Sequence, residues 1–189
     1  PKGVVCSSLK AVMDQAVPLR FPLVLKGLGH AHKSELGAVR INLTTERALA
    51  EAATAIDSAS YLVERMVTGG VAELLIGVLR DPAHGFVLTL GAGGVLTEVL
   101  SDTTSRLLPV TSHDVLHALA ELKLYPLLCG YRGIAAADLD AVVEAVLAVQ
   151  RFVLASVALL EEIEINPLIC TPTQAVAVDA LIRMGVEDD

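Results

Sequence analysis

The chain has 189 residues, 53% hydrophobic and 19% charged: apolar material for a core in one domain or two small lobes, and unlike a disordered chain. A net charge of −8 and an aromatic content of 3%, with no Trp, argue against a phosphate-backbone partner and against base stacking on single-stranded nucleic acid. The three cysteines, Cys6, Cys129 and Cys170, are widely spaced and odd in number, the pattern of a reduced, cytoplasmic chain rather than a disulfide framework.

The chain opens at Pro1-Lys2-Gly3 without Met and shows no signal peptide, so a fragment of something longer is expected. FPLVLK (21–26) is an apolar run ending in a charge, and AVRINL (38–43) alternates as a half-exposed strand. Thr44 or Thr45 then caps a helix through Ile56. YLVERMV (61–67) and VAELLIGVLR (71–80) flank a Gly69-Gly70 turn, and FVLTLG (86–91) and SRLLPV (105–110) follow. Ser112 caps a second helix through Leu122, and Asp138 caps a long third one. Within the third, the apolar run 141–160 is interrupted by Glu144, Gln150 and Arg151, so it reads as a buried helix and not a membrane span. EIEINPLIC (162–170) and AVAVDALI (175–182) close the chain as two strands around a TPTQ turn. Mixed strands and helices predict an α+β or α/β protein of two lobes, 1–68 and 69–189, divided at Thr68-Gly69-Gly70.

Three features carry chemistry. Lys26 ends its strand just before Gly27-Leu28-Gly29 and a loop, 30–37, that offers His, Lys and Ser to an anion; the plainer reading is a polar connection with a snorkelling lysine. No GxxxxGK[ST] sequence is present. Gly91-Ala92-Gly93-Gly94 follows an apolar strand as a phosphate-cradling turn would, but Leu96 stands where GxGxxG needs its third glycine. Asp102 and Arg106 are spaced to lie beside that turn as an acid–base pair, or to form an ordinary surface ion pair. Glu162, Glu164 and Asn166 alternate with isoleucines, so period two places them on one strand face, with Asp179 on the next strand. Such oxygen donors suit Mg²⁺ and equally suit a solvated face, although a carboxylate within the apolar run around Asp179 is costly unless partnered. HDVLH (113–117) imitates the HExxH zinc pattern, but Asp114 at a helix start fits capping better. No serine sits in GxSxG.

The segments FPLVLK, HKSELGAV, YLVERMV, GGVAELLIGVLRDPAHG, LGAGGVLTEVLSD, RLLP, YPLLCGYRG and EIEINPL with AVAVDALI occur in an order that resembles the ATP-grasp domain of ADP-forming acyl-CoA (acetate–CoA) ligases. The chain is similar, more distantly, to the β subunit of succinyl-CoA synthetase. The resemblance implies an α+β ATP-grasp fold whose two lobes, with antiparallel sheets, clamp Mg-ATP. It implies conversion of ATP, a carboxylic acid and CoA to ADP, phosphate and acyl-CoA through phosphohistidine and an acyl phosphate. It also implies a partner, either a CoA-binding ligase domain or an α subunit with its own histidine, through which the acid and CoA act. No nucleic acid or membrane partner is implied.

By that resemblance Lys26 contacts ATP phosphates. His32 is the phosphoryl acceptor, with Lys33 and Ser34 in the same motif at the nucleotide. Glu64, Met66 and Val67 lie at the hinge, where backbone meets adenine. Glu73 is a nucleotide-side acid. Gly91, Gly93 and Gly94 form the loop near the transferred phosphate, and Arg106 neutralises charge in the transition state. Asn166 and Asp179 ligate Mg²⁺, supported by Glu164. The chain departs from the family at Ala38, where Gly is common, at Glu164, where Asp is frequent, and at Cys129, where an acid often precedes GYRG. Two other settings share the motifs: a nucleotide-sensing module without turnover, and a carboxylate–amine ligase needing no CoA.

Overall fold

The computed structural model describes residues 1–29, 37–94, 97 and 101–185. The chain divides into two compact units, Pro1–Val67 and Thr68–Asp189. The fold is α+β, with an antiparallel sheet and helices in each unit.

The first unit runs β1 (Gly3–Cys6), α1 (Leu9–Leu19), β2 (Leu23–Gly27), β3 (Val39–Leu43), α2 (Glu46–Ala55) and β4 (Tyr61–Arg65). Its strands are ordered β1-β4-β2-β3, every pair antiparallel. Alternation sends Leu23, Leu25 and Val63 to one face, where they meet Val12, Ala16 and Leu19 of α1 and Leu49, Ala52 and Ala53 of α2. Thr45 caps α2 by accepting from the Ala48 N–H at 3.2 Å. Sequence reading passed over β1 and α1. Four residues are too few to show a period, and Pro18 reads as a breaker although it sits in the last turn of α1.

The second unit runs β5 (Ala72–Asp81), β6 (Gly85–Ala92), β7 (Thr103–Leu107), α3 (Ser112–Ala120), α4 (Tyr125–Leu128), α5 (Leu139–Ala155), β8 (Leu160–Cys170), β9 (Ala175–Ala177) and β10 (Ala180–Met184). Its sheet is ordered β10-β8-β5-β6-β7, with β9 also paired to β8. Leu74, Ile76, Val78, Leu88, Leu90, Ile163 and Leu168 form the apolar face, covered by Val115 and Leu119 of α3 and Val142, Val146 and Val149 of α5. The N-cap of α3 is Thr111 and not Ser112: the Thr111 hydroxyl accepts from the Asp114 N–H while the Asp114 carboxylate accepts from the Thr111 N–H at 2.8 Å. Gln150, the polar residue inside the apolar run, faces the Val110 backbone. Its amide oxygen accepts from Val110 N–H at 2.6 Å and its amide nitrogen donates to Val110 C=O at 3.1 Å. Among the described residues, no helix is long and apolar enough to cross a membrane.

Strand β8 contains the irregularity that matters most. Leu168 pairs with Leu74 and Ile165 with Ile76, so Asn166 and Pro167 together face Leu75: a β-bulge. On its other edge β8 pairs Leu168 with Ala177 and Ile165 with Ala180. Val178 and Asp179 therefore lie opposite Pro167 and Asn166, and the single strand expected over 175–182 is broken there.

Candidate functional site

In the first unit the sheet face turned away from α1 and α2 carries Lys26 and Glu64. Val24 pairs with Glu64 and Lys26 with Leu62, so the two charged residues are diagonal neighbours on one face. Lys26 Nζ lies 2.7 Å from Glu64 Oε2, with the two side chains 8% and 9% exposed. The main chain of Glu64, expected to meet a base, pairs in the ladders with β1 and β2, and its carboxylate meets Lys26. Met66 donates its N–H to the Pro22 carbonyl at 3.0 Å, which spends one hinge donor expected to meet a base. His32, Lys33 and Ser34 lie outside the described residues.

In the second unit, the face of the sheet away from α3 and α5 gathers the rest. Glu164 stands on it opposite Gly77, in register with Thr89 and Ser105. Gly91 is a strand residue rather than a loop residue, paired with Leu75 and Thr103. A Cβ there would fall 2.8 Å from the Asp102 carbonyl oxygen, and one on Gly93 2.5 Å from Leu74 backbone atoms. Both glycines are therefore required for close strand packing before any ligand is considered.

Gly94 makes the turn proper, at φ +68. Its N–H donates to Asn166 Oδ1 at 2.8 Å, and its carbonyl accepts from the Thr97 hydroxyl at 2.8 Å. A Cβ on it would stand 1.8 Å from Glu73 Oε2, so the Glu73 carboxylate occupies the space a side chain would need. Glu73, Gly94 and Asn166 thus meet at one corner, and Asp179 lies across the bulge from Asn166.

Two expectations fail on geometry. Arg106 pairs with Leu88, so it projects to the α3 side of the sheet, opposite to Glu164. There its guanidinium donates to Glu121 Oε1 and, at 2.9 Å, to the Thr104 hydroxyl. The Glu121 carboxyl is held below the usual carboxylate range by hydrogen bonds from Thr104 and Arg106. Asp102 does not pair with Arg106. It is buried and accepts the backbone N–H groups of Lys123 and Leu124 at 2.9 and 3.0 Å, which fixes the entry to α4.

The donor set at the bulge fits a hard cation. A carboxylate and an amide oxygen could supply two ligands there. A cation that takes few protein oxygens and completes its shell with water and phosphate is Mg²⁺. The Gly94–Asn166 bond orients the amide oxygen and still leaves it a lone pair.

Comparison with known proteins identifies the fold and the family. The model of the ATP-grasp domain family matches residues 1–184. The β subunit of acetate–CoA ligase [ADP-forming] I from Pyrococcus furiosus is 32% identical over 173 residues, 85% of this chain and 74% of that subunit. Acetate–CoA ligase [ADP-forming] I from Archaeoglobus fulgidus is 32% identical over 199 residues, covering 99% of this chain but only 29% of that protein. Among solved structures, acetyl-coenzyme A synthetase 1 of Ca. Korarchaeum cryptofilum, in complex with coenzyme A and Ca-AMPCP, superposes with a TM-score of 0.86 at 29% identity, over 97% of this chain and 85% of that one. These relatives are ADP-forming acyl-CoA synthetases, and this chain corresponds to their ATP-grasp part. A sheet face set with a lysine in one unit, and a glycine turn tied to an oxygen-bearing bulge in the other, are carried here by a chain that belongs to the ATP-grasp domain family.

Proposed function

We propose that this chain is the ATP-binding, phosphoryl-transferring part of an ADP-forming acyl-CoA ligase, working in the cytoplasm with a CoA-binding domain or α subunit that bears a second histidine. The observation that carries the reading is the corner in the second unit: Asn166 faces Asp179 across a bulge and accepts from Gly94 of the glycine turn. That corner offers two oxygen ligands beside a turn whose backbone can approach phosphate.

In this reading, Lys26 of the first unit contacts nucleotide phosphate and Val67 meets the base; in the second unit the glycine turn approaches phosphate, and Asn166 and Asp179 hold Mg²⁺ with Glu164 in support. The bound Mg²⁺ supplies charge neutralisation on the phosphate oxygens. His32 attacks the γ-phosphorus through a neutral ring nitrogen; a P–N bond forms, the bond to the β-phosphate oxygen breaks, and ADP leaves. Lys26 stabilises the charge that spreads over the departing diphosphate, so positioning and electrostatics supply most of the acceleration. The phosphoryl group then passes to the carboxylic acid through the partner, and CoA displaces it as phosphate.

Purified chain with [γ-³²P]ATP and Mg²⁺ is expected to acquire acid-labile, base-stable label that is lost in His32→Ala, and with its partner to release ADP on thioester formation. Release of AMP and pyrophosphate would overturn the reading. Binding of Mg-ATP without label or ADP–ATP exchange would instead identify a nucleotide sensor.

A further inference from the structure

Among the described residues, Lys26 is the one buried cation, and it shares its sheet face with the buried Glu64. Lysine is rarely buried unless paired, and a buried ion pair is usually no more stable than two well-packed apolar side chains of the same volume. Stability alone therefore does not account for these two residues at these two positions. The surrounding strands are built to keep them. Gly3 of β1 pairs with Glu64 on the edge of β4 opposite to β2. A Cβ at Gly3 would come within 2.7 Å of Glu64 Cγ, so the carboxylate's stem lies over the one place in β1 that has no side chain. The carboxylate itself then reaches along the sheet to Lys26 Nζ.

We propose that Glu64 is a positioning residue, which holds the Lys26 ammonium at the place where a nucleotide phosphate is bound, and that Gly3 exists to admit it. The proposal rests on the reading of Lys26 as a phosphate contact. A lysine stem has four rotatable bonds, and an ordered ammonium no longer loses their rotamer entropy when phosphate arrives. The ammonium has three donors, so one can remain on Glu64 while others turn to phosphate oxygens. Glu64 touches no phosphate in this scheme. Its effect passes through Lys26 alone.

The test is calorimetric titration of the full chain with Mg-ADP and, separately, with adenosine. Lys26→Met is expected to weaken Mg-ADP strongly and adenosine hardly at all. Glu64→Gln is expected to weaken Mg-ADP about tenfold with adenosine unchanged, and to add nothing in the Lys26→Met background, because the coupled pair is non-additive. Gly3→Ala, which keeps both charges but crowds the Glu64 stem, is expected to reproduce the Mg-ADP loss even if Glu64→Gln fails to fold. Normal Mg-ADP affinity in folded Glu64→Gln or Gly3→Ala, with Lys26→Met impaired, would overturn the positioning role. Equal loss for adenosine and Mg-ADP would assign both residues to structure and overturn it as well. Unchanged Mg-ADP affinity in Lys26→Met would instead remove the phosphate reading of Lys26 on which the proposal stands.

Discussion

Gly94 answers three demands with one missing side chain. Its φ of +68 favours glycine, its N–H serves Asn166, and its vacant Cβ position holds the Glu73 carboxylate. Gly69 has a comparable φ of +74 but nothing within 4 Å of where its Cβ would stand. The two glycines separate backbone strain from crowding. Gly69→Ala is expected to lose about 1 to 2 kcal/mol of stability for the left-handed backbone and nothing in nucleotide affinity. Gly94→Ala is expected to show the same backbone loss and, because Glu73 must move, a clear fall in Mg-ADP affinity by calorimetry. The types of these residues were legible in the sequence, but their partners were not. A glycine run says that backbone can come close, whereas the identity of what comes close depends on register. The way β5 lies beside the end of β6 brings Leu74 backbone against Gly93 and the Glu73 carboxylate against Gly94, and register sent Arg106 to the helix side of its strand, where Glu121 engages it.

Elements with strong local signals were read well, and those that depend on neighbours were not. Strand β8 showed its alternation plainly, yet its bulge appears only when β5 is laid beside it. The start of α3 was read one residue late because Ser112 and Thr111 are both good caps. The reciprocal bond with Asp114 decides for Thr111. Thr111→Ala is therefore expected to cost α3 about 1 kcal/mol, visible as faster hydrogen exchange at Val115. Hydrogen bonds from the Thr111 hydroxyl and N–H hold the Asp114 carboxyl below the ordinary carboxylate range. Its stabilising effect is thus present above the unfolded-state pKa and lost as pH falls through the lower folded value. Asp114→Asn is expected to weaken protection of α3 at neutral pH and to converge with the parent chain in acid. A constant difference at all pH values would remove the capping-box explanation.

For the whole molecule, a net charge of −8 stands against an anionic nucleotide. The long-range field repels such a ligand, while in the proposed function Lys26 attracts phosphate at short range, and salt screens the first more than the second. The association rate of Mg-free ADP is expected to rise with ionic strength, and that of Mg-ADP, with less charge, to rise less; stopped-flow measurement would show it. A fall with added salt would point to an attractive surface the charge count does not reveal. The bulge in β8 has a broader consequence. Ahead of it Ile163 and Ile165 point to the helices, and past it Leu168 and Cys170 do, so the inward set changes from odd to even numbers at Asn166–Pro167. Straightening the strand there at constant length would turn Pro167 and Ile169 inward and expel Leu168 and Cys170, whereas removing one of the two bulged residues would restore plain alternation and keep both inward. Asn166 thus occupies a phase slip of the strand, a spot exempt from the packing code on either side. Loss of that one extra residue would therefore spare the packed sets on either side and cost only the widened spot that carries the amide oxygen.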